Sequence, residues 1–588
     1  MNSFKDSSEW QWLFQNGLKW DEILKAYHPE FPTVEGWTDA HEAKVFLREM
    51  LDVIDQWGQE KIAKRAAKLD AVGPGTVEKG EMLVGPLLQE LYCEARDLHL
   101  LGMAAKREYG GLELPVAMTM LAFVSISRFC LASSSQLNFF PSMTDMLERF
   151  CSKADCERLI PRIINGEISG SMALTEADAG SDIGALKTTA IEQADGSYKI
   201  RGSKIFITNG GGGFSFVLAR IQGAPEGVNG ISLFLLEQFI GDGDNKRMNY
   251  SVTKHEHKMG MRGSFTCEVL FEDSIGKLVG EQHRGLALMF HLMNKSRIGA
   301  GGQALGLMEA CLDYVKKYAE ERKQFGKNLL ELPLYARNFG QWQVECDAYR
   351  AFFVDSLNSF TLYHRLDLKK RTTGDLNQQE QQKLKEVMRV VRLRTPLLKY
   401  YGTETCVDIS KKAIQALGGH GLIDEHAVGR LHRDSFGPLL YEGTSQIQSL
   451  MVLKDLLKGI FKRPGEYFAG LLSGAPAVTS KIGQDATQKE YLKLDFMMKR
   501  GLAKLVLKTL RPDEILKIFD RKIWMSQDKV EKLMIHSETI CQMMAYSETL
   551  KVLSEHSNLD EKRAGLFWDY HRLVHPRLIA ILDDWKRW

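Results

Sequence analysis

The hydrophobic pattern of this chain changes period twice, and that double change restricts the fold more than any single motif does. Up to about residue 165, stretches such as "EAKVFLREMLDVIDQW" and "LQELYCEARDLHLLGM" repeat apolar residues at three-to-four spacing, which predicts helices. "REYGGLELP" (107–115) interrupts them as a loop, punctuated by Gly110, Gly111 and Pro115. From about 170 to 285 the period becomes two. "ADGSYKIRGSKIFITNG" carries an Asp195-Gly196 hairpin signal followed by β-branched and aromatic residues, and "FSFVLARI", "GISLFLLE" and "TCEVLFED" are further short strands. Helical spacing then returns: Leu305, Met308, Leu312, Val315 and Ala319 step along one face, and "EQQKLKEVMRVVRLRTPLLKYYG" and "TETCVDISKKAIQAL" continue the pattern. The predicted class is α+β. A helical N-terminal domain (1–165) precedes a central antiparallel β-domain (166–285), a C-terminal helical bundle (286–458) and a helical extension (459–588). "KRPGEYFAGLLSGAPAVTS" (462–480) reads as the linker into that extension.

Composition narrows the function classes. A chain of 588 residues is too long for one core. Its net charge of +2 supplies no global basic field for nucleic acid. The N-terminal stretch lacks a basic region followed by an apolar one, and no run of about 18 apolar residues occurs, so neither a signal peptide nor a membrane span is expected. Nine scattered cysteines without a C-x-x-C pair predict reduced thiols and a cytoplasmic location. The pairs His255/His257 and His571/His575 lack further ligands and read as surface histidines, so no metal is expected.

Four stretches carry chemistry. "SMALTEADAGSDIGALKTTA" (171–190) offers hydroxyls at Thr175 and Ser181 and a glycine-bearing turn, suited to a ring edge and phosphates. It reads equally well as a polar loop. In "GSKIFITNGG" (202–211), Phe206 and Thr208 share one side of a strand end, fit to seat a planar group or to pack a core. The glycines at 210–213 precede a strand rather than a helix, so they are no dinucleotide loop. "AEERKQFGKNLLEL" (319–332) ends a helix at Arg322, a planar fork for a diphosphate or an ordinary solvated helix end. In the fourth stretch, Gln415 and Gly418-Gly419 close a helix on open backbone, and Glu442 follows in "LLYEGTSQIQ" (439–448). Two readings of Glu442 stay open on these residues alone. It is the acid before a helix capped by Thr444 or Ser445, or it is a catalytic base.

The motifs "YGG", "MALTEADAGSD", "FIT", "HKMGMRGS", "RKQFGK", "QALGGHG" and "YEGTSQIQ" together resemble the acyl-CoA dehydrogenase family, in order and in spacing, across residues 90–455. The remainder looks like the C-terminally extended bacterial subgroup that includes the methylmercaptopropionyl-CoA dehydrogenases. The resemblance implies an α–β–α fold and FAD-dependent α,β-dehydrogenation of an acyl-CoA thioester, with the α-proton going to Glu442 and the β-hydride to flavin N5. It implies that Met172, Leu174, Thr175, Gly180 and Ser181, with Phe206, Ile207 and Thr208, wrap the flavin, Thr175 and Thr208 bonding to its ring. Ser181, Asn294, Arg297 and Gly443 would meet the acyl-CoA. Arg322, Gln324, Gln415, Gly418 and Gly419 would hold the FAD diphosphate and ribityl region across a subunit interface, and Thr444, Ser445 and Gln446 its adenosine side. An electron-transfer flavoprotein would be the acceptor, and the chain would form a homodimer or a dimer of dimers.

The chemistry makes this assignment sensible. An α-C–H beside a thioester is a poor acid, so donors must be aimed at the developing oxyanion; one such donor is worth about 3 kcal/mol. Some branches of the family carry the base on the helix that here contains "MNKSR" (293–297), but Ser296 stands near that position and no acid occurs from Asn294 to Arg297, which favours Glu442. Three departures are noted: Ala177 in place of a proline, Phe206 in place of a tryptophan, and Pro333 where relatives carry a flavin-contacting glutamine. An acyl-CoA oxidase using oxygen is the alternative within the same chemistry. A flavin-containing DNA-associated relative is the alternative outside it, disfavoured because the extension shows no sustained basic face.

Overall fold

The computed structural model describes residues 3–33, 36–462, 485–511, 514 and 527–588. The linker expected at 462–480 lies, apart from Lys462, outside the described residues. Short helical pieces between Ser3 and Tyr27 lead into α1 (Ala40–Trp57), whose Asp39 N-cap carboxylate accepts the His41 and Glu42 N–H groups. Its stripe of Ala43, Leu47, Leu51 and Ile54 is buried, as the spacing predicts. A hairpin that the sequence reading missed follows: β1 (Gly75–Glu78) pairs with β2 (Glu81–Val84). Pro86 then opens α2 (Pro86–Asp97) at the position where its missing N–H costs nothing. The helices α3 (Val116–Phe129) and α4 (Leu131–Phe150) are buried over most of their length, and α5 (Lys153–Ile164) closes this helical layer.

The β-domain holds β3 (Ser171–Ala173), β4 (Thr189–Glu192), β5 (Tyr198–Thr208), β6 (Phe214–Ile221), β7 (Ile231–Glu237), β8 (Ser251–His255) and β9 (Thr266–Val279). The long β9 pairs with β5 along its first part and with β7 at its end. With β4 and β6 these strands form a closed ring, β8 and β3 being appended to it. The expectation of a wholly antiparallel domain needs correcting, because β3 and β4 both run parallel to β6. Alternating hydrophobicity reports which face is buried, but not which strand lies alongside.

Beyond the sheet, α6 (Gly285–Glu321) runs for 37 residues and ends in a small hairpin, β10 (Lys323–Gln324) with β11 (Lys327–Asn328). Pro333 opens α7 (Pro333–Thr372), which gives this departure from the family pattern a structural role. Next come α8 (Gln378–Ala416), α9 (Val428–Leu440) and α10 (Ser445–Lys462). The buried Tyr349 hydroxyl donates to the carbonyls of Gly301 on α6 and Leu398 on α8 at 3.1 and 3.0 Å. A Cβ at Gly402 would collide with that hydroxyl, so the glycine permits the close crossing.

In the extension, α12 (Ser537–Leu559) and α13 (Ala564–Arg587) pack on the bundle of the same chain, and α11 (Ala486–Lys508) packs on these two helices. Tyr570 bonds Tyr401 at 2.9 Å, Arg394 joins Asp355 to Glu548, and Arg577 reaches Glu345. At the other end of the chain, the Trp12 indole donates to Asp560 at 2.9 Å. The extension therefore makes interdomain contacts within one chain. No helix among the described residues is long and apolar enough to cross a membrane.

Candidate active site and cofactor grooves

The segment leaving β3 is pinned by a carboxylate that sequence reasoning passed over. Glu176 Oε1 accepts from Lys204 Nζ, the Thr188 N–H and the Thr188 hydroxyl, and Oε2 accepts from the Lys187 N–H, all within 3.0 Å. Lys204 is fully buried on β5 and also donates to the Leu174 carbonyl at 2.9 Å. Burial opposes ionisation of Glu176, but Lys204 and these hydrogen bonds outweigh it and hold the carboxyl below its usual range. The Thr175 carbonyl accepts the Ile205 N–H, so Met172, Leu174 and Thr175 lie beside β5 while Gly180 and Ser181 stand exposed beyond them.

On β5 the register against β9 slips between Lys204 and Ile207, a β-bulge that re-aims the strand end. Phe206 adopts φ +60°, uncommon for an aromatic residue, and its side chain is 62% exposed while Ile207 is buried. Phe206 is exposed and Thr208 half-buried, with the buried Ile207 between them. The Thr208 hydroxyl lies 3.5 Å from that of Thr266. Asn209, also left-handed, is fully buried, and neither of its side-chain polar atoms has a hydrogen-bond partner among the described residues.

A second groove of about 630 Å³ gathers Arg322, Gln324, Gln415, Gly418 and Gly419, brought together from two distant stretches of sequence. It forms because α6 and α8 end side by side. Gly418 takes φ +62° just past α8, and a Cβ at Gly418 or Gly419 would meet nothing within 4 Å, so the glycines leave open space. Arg322 forms no ion pair among the described residues. Tyr318, Tyr335 and His420 complete the walls and were not anticipated: Tyr335 donates to the Ala416 carbonyl, and Tyr318 bonds His420 Nδ1 at 2.9 Å.

Glu442 occupies the turn between α9 and α10 at φ +60°, followed by Gly443 at φ +95°. Its backbone is clamped from three sides. Arg297 Nε on α6 and Gln448 Nε2 on α10 donate to the Glu442 carbonyl at 3.1 and 2.8 Å. Lys399 Nζ on α8 donates to the Leu439 and Gly443 carbonyls, both at 2.7 Å. Among the described residues nothing bonds the Glu442 carboxylate, and its N–H is likewise unspent. Burial pushes the carboxyl up to about 7, Arg297 and Lys399 opposing the shift. The apolar run before it is itself only partly buried, Leu440 being 59% exposed.

Several expected contacts are occupied within the chain. The Asn294 side chain accepts from Arg297 at 3.0 Å. Ser445 Oγ donates to Glu404, and Gln446 donates to Glu538 of α12 at 3.0 Å. Thr444 adjoins the start of α10, its carbonyl taking the first helical bond from Gln448, so a helix does begin at this stretch. "HKMGMRGS" is a tie between the sheet and α9, the Met261 N–H donating to the buried Asp434.

This donor set fits FAD. A planar ring has an exposed aromatic and two threonines beside it, and a diphosphate has the unpaired Arg322 over glycine backbone with room for close approach.

Family models for the acyl-CoA dehydrogenase N-terminal, middle and C-terminal domains match residues 47–167, 171–274, and 283–361 with 373–457. An acyl-CoA dehydrogenase of Bacillus subtilis is 32% identical over 364 residues, covering 61% of this chain and 87% of the relative. The 3-methylmercaptopropionyl-CoA dehydrogenase of Ruegeria pomeroyi is 28% identical over 484 residues, 78% of each chain. In fold, an acyl-CoA dehydrogenase from Bacillus anthracis, crystallised with FAD, aligns at TM-score 0.75 and 20% identity over 92% of this chain and 88% of that one. Three domain models in sequence order, with a relative above 30% identity, show that the chain belongs to the acyl-CoA dehydrogenase family, oxidoreductases that use FAD.

Proposed function

We propose that this protein removes an α-proton from an acyl-CoA thioester with Glu442 as the base, introducing an α,β double bond. The observation that carries the reading is a carboxylate left without a partner on a rigidly clamped turn, its pKa brought to about 7. When bound, FAD supplies the acceptor for the hydride from the β-carbon. The chain's own work is positional. Arg297, Gln448 and Lys399 bond the carbonyls of Leu439, Glu442 and Gly443 and so fix the turn, and the Glu442 N–H, which has no acceptor among the described residues, is available to the thioester oxygen as negative charge develops there. Gly443 keeps side-chain bulk away from the same point.

Met172, Leu174, Thr175, Gly180, Ser181 and Phe206 to Thr208 are proposed to seat the flavin ring. Arg322, Gln324, Gln415, Gly418 and Gly419 are proposed to hold the diphosphate side, contributed between two copies of the chain. Ser181, Asn294 and Arg297 are proposed to meet the acyl-CoA. An electron-transfer flavoprotein is the proposed acceptor, supported by family membership, and the cytoplasm the proposed location. The test is anaerobic: purified yellow enzyme mixed with acyl-CoA thioesters should bleach, and Glu442→Gln should keep FAD and lose bleaching. Bleaching of the variant at full rate refutes the assignment. Substrate-dependent peroxide without any added acceptor would identify an oxidase instead.

A further inference from the structure

Lys399 is an unusual residue to find in the interior of a helical bundle. It sits in mid-α8 with no exposed surface and makes no carboxylate ion pair among the described residues. Its ammonium instead bonds two backbone carbonyls, Leu439 at the C-terminal end of α9 and Gly443 just past the turn, which bracket Glu442. Carbonyls at a helix C-terminus lack helical partners and carry partial negative charge, so a cation there is favourable. The Tyr349 hydroxyl fixes the neighbouring Leu398 carbonyl to Gly301, one helical turn from Arg297, which keeps the two cations in register under the turn.

We propose that Lys399 is a positioning residue of the dehydrogenation site: it holds the Glu442 turn in its left-handed conformation, and its charge biases Glu442 toward the carboxylate. The proposal rests on the reading of Glu442 as the base. A left-handed non-glycine residue is held only where its surroundings over-determine it, and here the bonds from Arg297, Gln448 and Lys399 do so. The charged groups that face this point are few. Arg297 from α6 and Lys399 from α8 both favour ionised Glu442, while Glu442 and Glu404 favour protonated Lys399 and Arg297 disfavours it. Burial pushes Lys399 down to about 7, so its own protonation is tied to the same pH range as that of the base.

The experiment measures the rate of anaerobic flavin reduction against pH for wild type, Lys399→Met, Lys399→Arg and Glu442→Gln. The substrate is whichever of butyryl-, octanoyl- and palmitoyl-CoA reduces the wild type fastest. FAD absorbance and a melting curve confirm that each variant is folded. Lys399→Met should lose about tenfold in maximal rate and move the midpoint of the pH profile upward by about one unit. Lys399→Arg, which stays charged throughout, should not move the midpoint upward. A Lys399→Met midpoint identical to wild type, or equal shifts in both Lys399 variants, overturns the proposal. Should Lys399→Met fail to fold, Lys399→Gln, which also removes the charge, replaces it: an upward shift of the midpoint supports the charge role and an unchanged midpoint refutes it. Full-rate reduction by Glu442→Gln overturns the base assignment and this proposal with it, whereas an inactive Glu442→Gln beside an unshifted Lys399→Met removes Lys399 alone.

Discussion

Glu176 and Glu442 are both carboxylates sitting next to buried lysines, yet the fold prepares them for opposite tasks. Glu176 spends its oxygens on four hydrogen bonds, one of them from Lys204, and is held ionised. Glu442 spends none; the fold bonds its backbone instead and leaves the acid free to change state near neutrality. A raised pKa does not by itself mark the difference. Glu148 is also pushed up to about 7 by burial, but its carboxylate accepts the Lys106 N–H and serves as a structural acceptor. What separates the proposed base from a strut is where the surrounding donors point.

The largest test of this contrast is Glu442→Gln, which should slow flavin reduction by about 10²- to 10⁴-fold, read by anaerobic stopped flow, with FAD content unchanged. Glu176→Gln should do the reverse. It weakens the bond network around a fully buried lysine, so it should cost about 3 kcal/mol in chemical denaturation and lower FAD occupancy.

The pH dependence separates the two acids by sign. Glu176 is depressed when folded, so its contribution is present above the unfolded carboxylate pKa and is lost as pH falls through the folded value. Glu442 is raised when folded, so the wild type loses stability as pH climbs from about 4.5 to about 7. Glu442→Gln escapes that loss and should exceed the wild type by about 1 to 3 kcal/mol at pH 8, with the gap closing toward pH 5. Equal melting temperatures at both pH values would contradict the burial argument. The smallest effect is expected of Thr188→Val, which removes one donor to Glu176. It should cost about 1 kcal/mol and leave the pH profile of flavin reduction untouched.

Much of this was legible in the sequence, because periodicity is local. The helices and the strands β5, β6, β7 and β9 follow directly from apolar spacing, and Arg322, Gln415 and Gly418 were placed together by motif. What stayed hidden is non-local. Lys204 and Lys399 look like ordinary solvated lysines until the strand and helix crossings bury them. Phe206 belongs to a residue type that rarely takes positive φ, so only the slipped register with β9 reveals the bulge. The β1–β2 hairpin consists of two four-residue strands amid long helical patterns, and only the Lys79-Gly80 pair and the flanking Gly75 and Gly85 signalled it.

That small hairpin has a consequence for how the protein behaves at high concentration. A ring of strands has no end, but the appended β8 presents an outer row of backbone groups of the kind that recruits foreign strands. The Gly80 carbonyl takes the Val252 N–H of β8 at 2.8 Å, and Met82 packs over Gly211. Residues 75–84 thus act as a guard on an adhesive border, and their loss would show first as clumping of folded enzyme, before any change in its chemistry.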